Sequence, residues 1–214
     1  MKNRKRLGYL LLLIFIGTFL LLLSGCISQR AYYLFNLESV QRPEEVISQY
    51  GIGSMENLTF EDSLCKIVFS PQERGISFDL TNKFNRTIKI IWDEVAYVDQ
   101  DKSSHRVLHL GTRFINIDRP QPISSVPIGA KLDDLIVPVE YAKWTTSGWQ
   151  IRRLFPETSR VGLFAVELFV PEWEVKNLVS SLNDKSISVF LPLEIGGETN
   201  EYLFTFKVKA WIGK

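Results

Sequence analysis

Ser186-Ile187-Ser188-Val189-Phe190-Leu191-Pro192-Leu193-Glu194-Ile195-Gly196-Gly197, answered by Tyr202-Leu203-Phe204-Thr205-Phe206-Lys207-Val208, is the stretch that decides the fold. Ile187, Val189, Leu191, Leu193 and Ile195 occupy every second position, and Tyr202, Phe204, Phe206 and Val208 do the same. Successive side chains of a strand point to opposite faces, so a period of two puts all of these on one buried face. The glycine pair supplies the reversal, and the whole reads as a long antiparallel hairpin.

The same period recurs upstream. Ile76, Phe78 and Leu80 alternate with Ser77, Asp79 and Thr81, and Asn82 to Arg86 form a polar turn. Ile88, Ile90 and Trp92 then share a face, but the apolar parity flips to Val95 and Tyr97. That phase change requires a bulge or bend near Asp93-Glu94, or a strand that crosses between sheets. Leu64 to Phe69 and Leu135 to Val139 are short apolar runs, and Tyr141–Thr145 and Trp149–Phe155 flank Thr146-Ser147-Gly148 as a second hairpin. Residues 161–170 are apolar on both faces, as in a central strand. Two segments read as helix instead. Pro43 to Gly51 has proline and acids at its start and glycine at its end. Trp173 to Leu182 repeats Val175, Leu178, Val179 and Leu182 at helical spacing. Pro120, Pro122, Pro127 and Pro138 favour loops and edge strands between them. Roughly nine short strands with regular turn signals predict an all-β, two-sheet sandwich with one or two short peripheral helices.

Phe78-x-Leu80-x-Asn82, the Ile88-x-Ile90 strand, the turn at Asp99 to Ser104 and Val126-Pro127-x-Gly129 before another strand resemble one immunoglobulin-like plan. It is the plan of the type 2 late embryogenesis abundant domain and of FxLYD-type bacterial domains, covering residues 64–170. The resemblance implies an immunoglobulin-like sandwich used for binding or protection, and it carries no catalytic residues over.

The N-terminus has a separate logic. Lys2, Arg4, Lys5 and Arg6 precede an uncharged run from Leu7 to Leu23, and Ser24-Gly25-Cys26 closes it. This charged, apolar, then small-residue order marks an export signal. Leu23-Ser24-Gly25-Cys26 resembles the lipobox of bacterial lipoproteins, which implies a diacylglyceryl thioether on Cys26 and cleavage just before it. The alternative is an uncleaved membrane span, for which the run is of marginal length. Either way the positive flank stays cytoplasmic and the body lies on the far side of the membrane. Ile27, rather than Asp, follows Cys26; under the sorting rule of enteric lipoproteins this implies the periplasmic face of an outer membrane, or the outer face of the plasma membrane in a cell with only one. The expected organisation is a signal peptide over residues 1–25, a membrane-proximal segment with a short helix over 26–56, and the sandwich over 57–214. No Ser/Gly-rich tether follows Cys26, and Ala31-Tyr32-Tyr33-Leu34-Phe35 arrives within ten residues of it. These aromatics read as a first strand, with the lipid–water interface as the other place for them.

Removing residues 1–25 takes four of the 25 basic residues and none of the 24 acidic ones, leaving a body of slight negative charge. Nucleic acid is therefore not an expected partner, since that needs a basic stripe. Once Cys26 is acylated, Cys65 is the only thiol left, so no internal disulfide forms and Cys65 reads as a small buried hydrophobe. Stability must come from burial.

No catalytic motif, metal site or cofactor site stands out. His105 and His109 in an extended segment stand about 13 Å apart, too far to share a metal ion. The carboxylates of Asp93-Glu94 and Asp133-Asp134 point to opposite faces as strand neighbours, so neither pair acts alone. No Gly-x-Ser-x-Gly elbow or glycine-rich phosphate loop occurs. The strongest surface feature is Trp144, Trp149, Arg152 and Arg153. A short loop places the two tryptophans opposite each other, and Trp and Arg dominate binding hot spots; the plainer account is a cross-strand pair covering a sheet. The reading is a membrane-anchored, non-catalytic binding or assembly module, partnered by the membrane and by an envelope protein or glycan. A hydrolase of envelope polymers and a carrier of an apolar ligand between the sheets are the alternatives.

Overall fold

Gly196 and Gly197 both take positive φ, +67° and +93°, which closes the C-terminal hairpin as its glycines require. A Cβ on Gly196 would also lie 2.6 Å from the Arg86 guanidinium. In the computed structural model the residues described are 30–213, apart from 73, 111, 113–118, 156–159, 162–166, 169–171 and 184. The run 7–23 and the lipobox Leu23, Ser24, Gly25 and Cys26 therefore lie outside the described residues. Among the described residues no helix is long and apolar enough to cross a membrane.

In chain order the elements are β1 (Arg30–Gln41), helix α1 (Glu44–Tyr50), β2 (Ser54–Glu56), β3 (Thr59–Glu61), β4 (Cys65–Pro71), β5 (Ile76–Asn82), β6 (Ile88–Ile90), β7 (Ala96–Val98) and β8 (Ser104–Leu108). There follow β9 (Ser124–Val126), β10 (Lys131–Pro138), β11 (Ala142–Thr145), β12 (Gly148–Ile151), β13 (Arg160–Val161), β14 (Glu167–Leu168), helix α2 (Glu172–Leu182), β15 (Ser186–Ile195) and β16 (Glu198–Gly213). The fold is the expected all-β sandwich with two short helices. Strands run in the order β1-β16-β15-β7-β8-β10-β5-β4-β3-β2, every pairing antiparallel. The two layers are thus one path folded on itself, with β8 pairing β7 on one side and β10 on the other.

The parity flip at Asp93-Glu94 has a direct structural cause. A single 3-10 turn, Trp92–Glu94, separates β6 from β7, and both strands pair with the same edge of β15. β6 faces Leu193–Ile195 and β7 faces Ser188–Phe190; Pro192 falls in the gap between the two ladders, where a residue without an N–H is tolerated. One expectation is corrected. Of the run 161–170 only Val161, Glu167 and Leu168 are described, and Arg160–Val161 pairs antiparallel with Glu167–Leu168 instead of continuing into it as one strand; the rest of the run lies outside the described residues. An apolar run without alternation does not distinguish one buried strand from two short ones. Tyr32, Tyr33 and Phe35 do lie in a strand. β1 pairs with β16 from Arg30↔Gly213 to Gln41↔Leu203, so the described part of the expected membrane-proximal segment contributes a full strand to the sandwich.

The inner faces meet through aromatic rings. Phe69 lies 4.8 Å from Phe204 and 5.0 Å from Phe206, and Phe60 lies 5.7 Å from Phe204. All four are buried, as are Ile67, Ile76, Leu80, Val189 and Leu191. Near the end of this layer sits a buried ion pair, Arg42 to Asp62 at 3.2 Å, with both side chains essentially inaccessible. Asp62 accepts hydrogen bonds from the Leu64 and Cys65 amides and from the Tyr202 hydroxyl. Arg42 donates to the Gly51 carbonyl and lies over the Tyr202 ring. The cluster ties β1 and α1 to the β3–β4 turn and to β16. Cys65, beside it, is fully buried, and burial pushes its thiol well above the ordinary range.

Two predictions follow from these contacts. Asp62→Ala strands Arg42 in the core and should cost roughly 3–5 kcal/mol. Arg42→Met should cost clearly less, because Asp62 keeps three other donors; urea unfolding of both variants checks the order. On the outer face, Asp79 and Asp133 stand directly opposite across β5 and β10, and their mutual hydrogen bond raises the Asp79 carboxyl above its usual value. A raised carboxylate destabilises the fold above its pKa and ceases to as pH falls through it. Asp133→Asn should therefore stabilise the protein by a few tenths of a kcal/mol at neutral pH, the gain vanishing below about pH 4, as read from urea midpoints across pH.

Candidate functional site

The β7–β8 turn is built around Asp99. Its Oδ1 accepts the amides of Asp101 and Ser103 at 2.9 Å each, which lets Lys102 adopt φ 66°. Its Oδ2 meets His105 Nε2 at 3.0 Å, and His105 Nδ1 meets Glu140 Oε2 at 3.2 Å. His105 thereby fastens the β7–β8 turn to the 3-10 turn Val139–Tyr141 that follows β10. Partial burial opposes ionisation of Asp99, but the bonds from His105, Ser103 and Asp101 outweigh it and hold the carboxyl below its usual range.

That fixed turn positions Tyr141, which is buried with its ring edge-on to Tyr97 and His105. β11 and β12 leave from it as a separate hairpin. Trp144 and Trp149 stand directly opposite in register, as the loop length predicts. Thr145 Oγ1 donates to the Gly148 carbonyl and accepts the Ser147 amide, and Gly148 takes φ +103°. Trp144 is 64% exposed, so it is not the covering residue of a sheet. The Trp149 side chain lies outside the described residues.

Beyond β12 the chain returns to the body. The Arg152 amide donates to the Tyr141 carbonyl at 2.7 Å, and the Arg152 guanidinium lies 3.9 Å over the Tyr141 ring. Such a stacked cation is attracted by the ring face and held in one orientation. Leu154 and Phe155 are buried, and Phe155 stacks on Tyr33 of β1 at 5.1 Å and lies 5.4 Å from Phe35. Burial raises the Tyr33 hydroxyl, with the nearby Arg153 charge pulling it back down. Between this returning segment and the β7–β8 turn is a cavity of about 460 Å³, lined by Arg74, Gln100, Tyr141, Ile151, Arg152, Arg153, Leu154 and Phe155. Its described lining holds three guanidinium groups and no carboxylate.

The residues singled out from sequence thus divide. Arg152 and Arg153 enter the cavity wall, while Trp144 stands exposed on the adjoining hairpin. Arg74, Gln100 and Tyr141 were not singled out. They come from the β4–β5 connection, the β7–β8 turn and a 3-10 turn, and no sequence spacing connects them. The two histidines serve different acids: His105 bonds Asp99 and Glu140, whereas His109 bonds Asp134 at 3.1 Å and stacks flat on Trp92 at 4.2 Å. The acidic neighbours also separate. Asp134 is buried against His109 and accepts the Leu110 and Leu135 amides, Asp133 faces Asp79, and Asp93 accepts the Gln121 amide. Among the described residues no group of three or more His, Cys, Asp or Glu converges to hold a metal ion.

The arrangement suits the binding of an oxyanion-bearing ligand. Guanidinium forks match carboxylate and phosphate oxygens, and the ring and aliphatic walls accept an apolar portion beside them. Comparison of the chain with protein-family models, with curated proteins and with solved structures finds no match in any of the three.

Proposed function

We propose that this chain is a lipid-anchored, non-catalytic binding module of the bacterial envelope, fixed by an acylated Cys26 and presenting the Arg-lined cavity to a partner that carries acidic groups. An envelope protein or an acidic glycan fits that description. The observation that carries the reading is the cavity itself: three arginines and two aromatic rings converge where a rigid turn and the β11–β12 hairpin meet. Exposed Trp144 adds a large contact residue on the adjoining hairpin. In the envelope the anchor places the body on the periplasmic face of an outer membrane, or on the outer face of the plasma membrane where that is the only one.

The alternatives draw less support. A polymer hydrolase needs two carboxylates across a bond, and of the paired acids Asp134 is engaged with His109, Asp133 faces Asp79 and Asp93 accepts the Gln121 amide. A carrier needs apolar space between the sheets, where Phe60, Phe69, Phe204 and Phe206 pack ring against ring.

Two measurements test the proposal. Metabolic palmitate should label the wild-type protein and not Cys26→Ser; label retained in the variant would overturn the anchor. Photo-crosslinking in intact cells from position 144 should yield a discrete adduct that Arg152→Glu with Arg153→Glu reduces by about tenfold. An adduct indifferent to both substitutions would remove the cavity from the binding surface.

A further inference from the structure

The position of the cavity in the fold narrows what it holds. Phe155, on its wall, stacks on Tyr33, and Tyr33 stands only seven positions after Cys26. Three residues separate Cys26 from the first residue of β1, so the chain spans at most about 14 Å between the acylated position and the sheet. A body tethered that closely cannot roam; the Tyr33 end of the sandwich faces the headgroups.

The outer face of the same end agrees with that placement. Leu34 is 48% exposed and Trp211 is 44% exposed, and Lys209, directly opposite Leu34, is exposed between them. Tryptophan, an aliphatic side chain and lysine together form the usual composition of a surface at the lipid–water boundary. Anionic lipids attract such lysines, by about 1 kcal/mol each near the surface.

The chemistry of the cavity fits an amphiphile rather than a wholly polar ligand. Arg74 and Arg152 offer guanidinium donors to a phosphate, Arg153 adds its charge on the same wall, and Gln100 sits beside them with a buried carbonyl oxygen that lacks a hydrogen-bond partner among the described residues. A headgroup hydroxyl is a donor of the required kind. Phe155 and its aliphatic neighbours supply the apolar wall that a glycerol backbone or the start of an acyl chain would meet. Tethering also raises the local concentration of lipid so far that a weak site is filled.

From these observations we infer that the cavity takes the phosphate headgroup of an anionic membrane lipid, so that the protein grips the bilayer at a second point beside its own acyl chains. This rests on the anchored, cavity-bearing reading above, and gives that cavity to a membrane lipid in place of an envelope protein or glycan.

The test uses the full acylated protein, purified from vesicle membranes in mild detergent, with bound lipid read by native mass spectrometry. Offered phosphatidylglycerol and phosphatidylcholine together, wild type should retain one phosphatidylglycerol. Arg152→Gln with Arg153→Gln should retain about tenfold less while its circular dichroism is unchanged. Equal retention by the two proteins, or equal retention of the two lipids by wild type, overturns the inference. In a second arm, inorganic phosphate and glycerol 3-phosphate are titrated onto the protein in phosphatidylcholine vesicles. Binding as tight as that of the lipid makes a soluble anion the ligand and also overturns it. The failures are distinguishable: a protein without acyl mass refutes the anchor, an acylated protein that binds no anion in either arm refutes the cavity reading as well, and one that binds only the soluble anions refutes this inference alone.

Discussion

Contact between the aromatic face of β16 and the facing strands β3 and β4 is the constraint on which the rest of the structure depends. Among the described residues the one thiol, Cys65, is buried and free, and no disulfide holds the layers together. Phe69 is wedged between Phe204 and Phe206, while Phe60 reaches both Tyr202 and Phe204. Rings at these separations meet edge-on or tilted, the arrangements that aromatic quadrupoles favour. Large planar groups interlocked in this way leave little freedom for one layer to slide on the other. The register of the long hairpin therefore also sets the register between the layers.

Polar groups buried at the margins of that layer are each held by several partners. Asp62 collects two amides, a hydroxyl and a guanidinium. Asp134 collects two amides and His109, and His109 lies flat against Trp92, whose indole N–H donates to Ser124. A third such group, Asn82, donates to the carbonyls of Arg86 and Val126 and accepts the Phe84 amide. Asp62 and Asn82 each close a turn and at the same time reach a distant strand, while Asp134, inside β10, holds the connection that follows β8. Burial without such partners would cost more than the contacts return, so these positions specify the loops as firmly as the rings specify the sheets.

The parts of the fold that follow from a strict period were legible in the sequence. β16 and β5 alternate, every odd position of β15 from Ile187 to Ile195 is buried, Pro43 and Gly51 bracket α1, and the flip between Trp92 and Val95 announced a bend that the 3-10 turn supplies. The motif Phe78-x-Leu80-x-Asn82 also has a physical basis, since two alternating core residues lead into an asparagine that ties β5 to β9. The pairing of Arg160–Val161 with Glu167–Leu168 was not legible, because an apolar stretch without alternation does not say whether its ends share one strand or lie in two. The cavity was half legible. Arg152 and Arg153 sit next to a hairpin that the glycine and the paired tryptophans reveal, whereas Arg74 and Gln100 reach the same space from two unrelated connections. Only the folded path brings them together.

The first described strand, β1, is hydrogen-bonded along its length to β16, the last. Sheet order thus joins the first and last described strands at one edge, and the pairing with the greatest sequence separation is also among the most extensive. Such contact order makes closure late and slow. A chain emerging N-terminus first must hold β1 open until β16 has been made, so β1 is the strand whose pairing completes last.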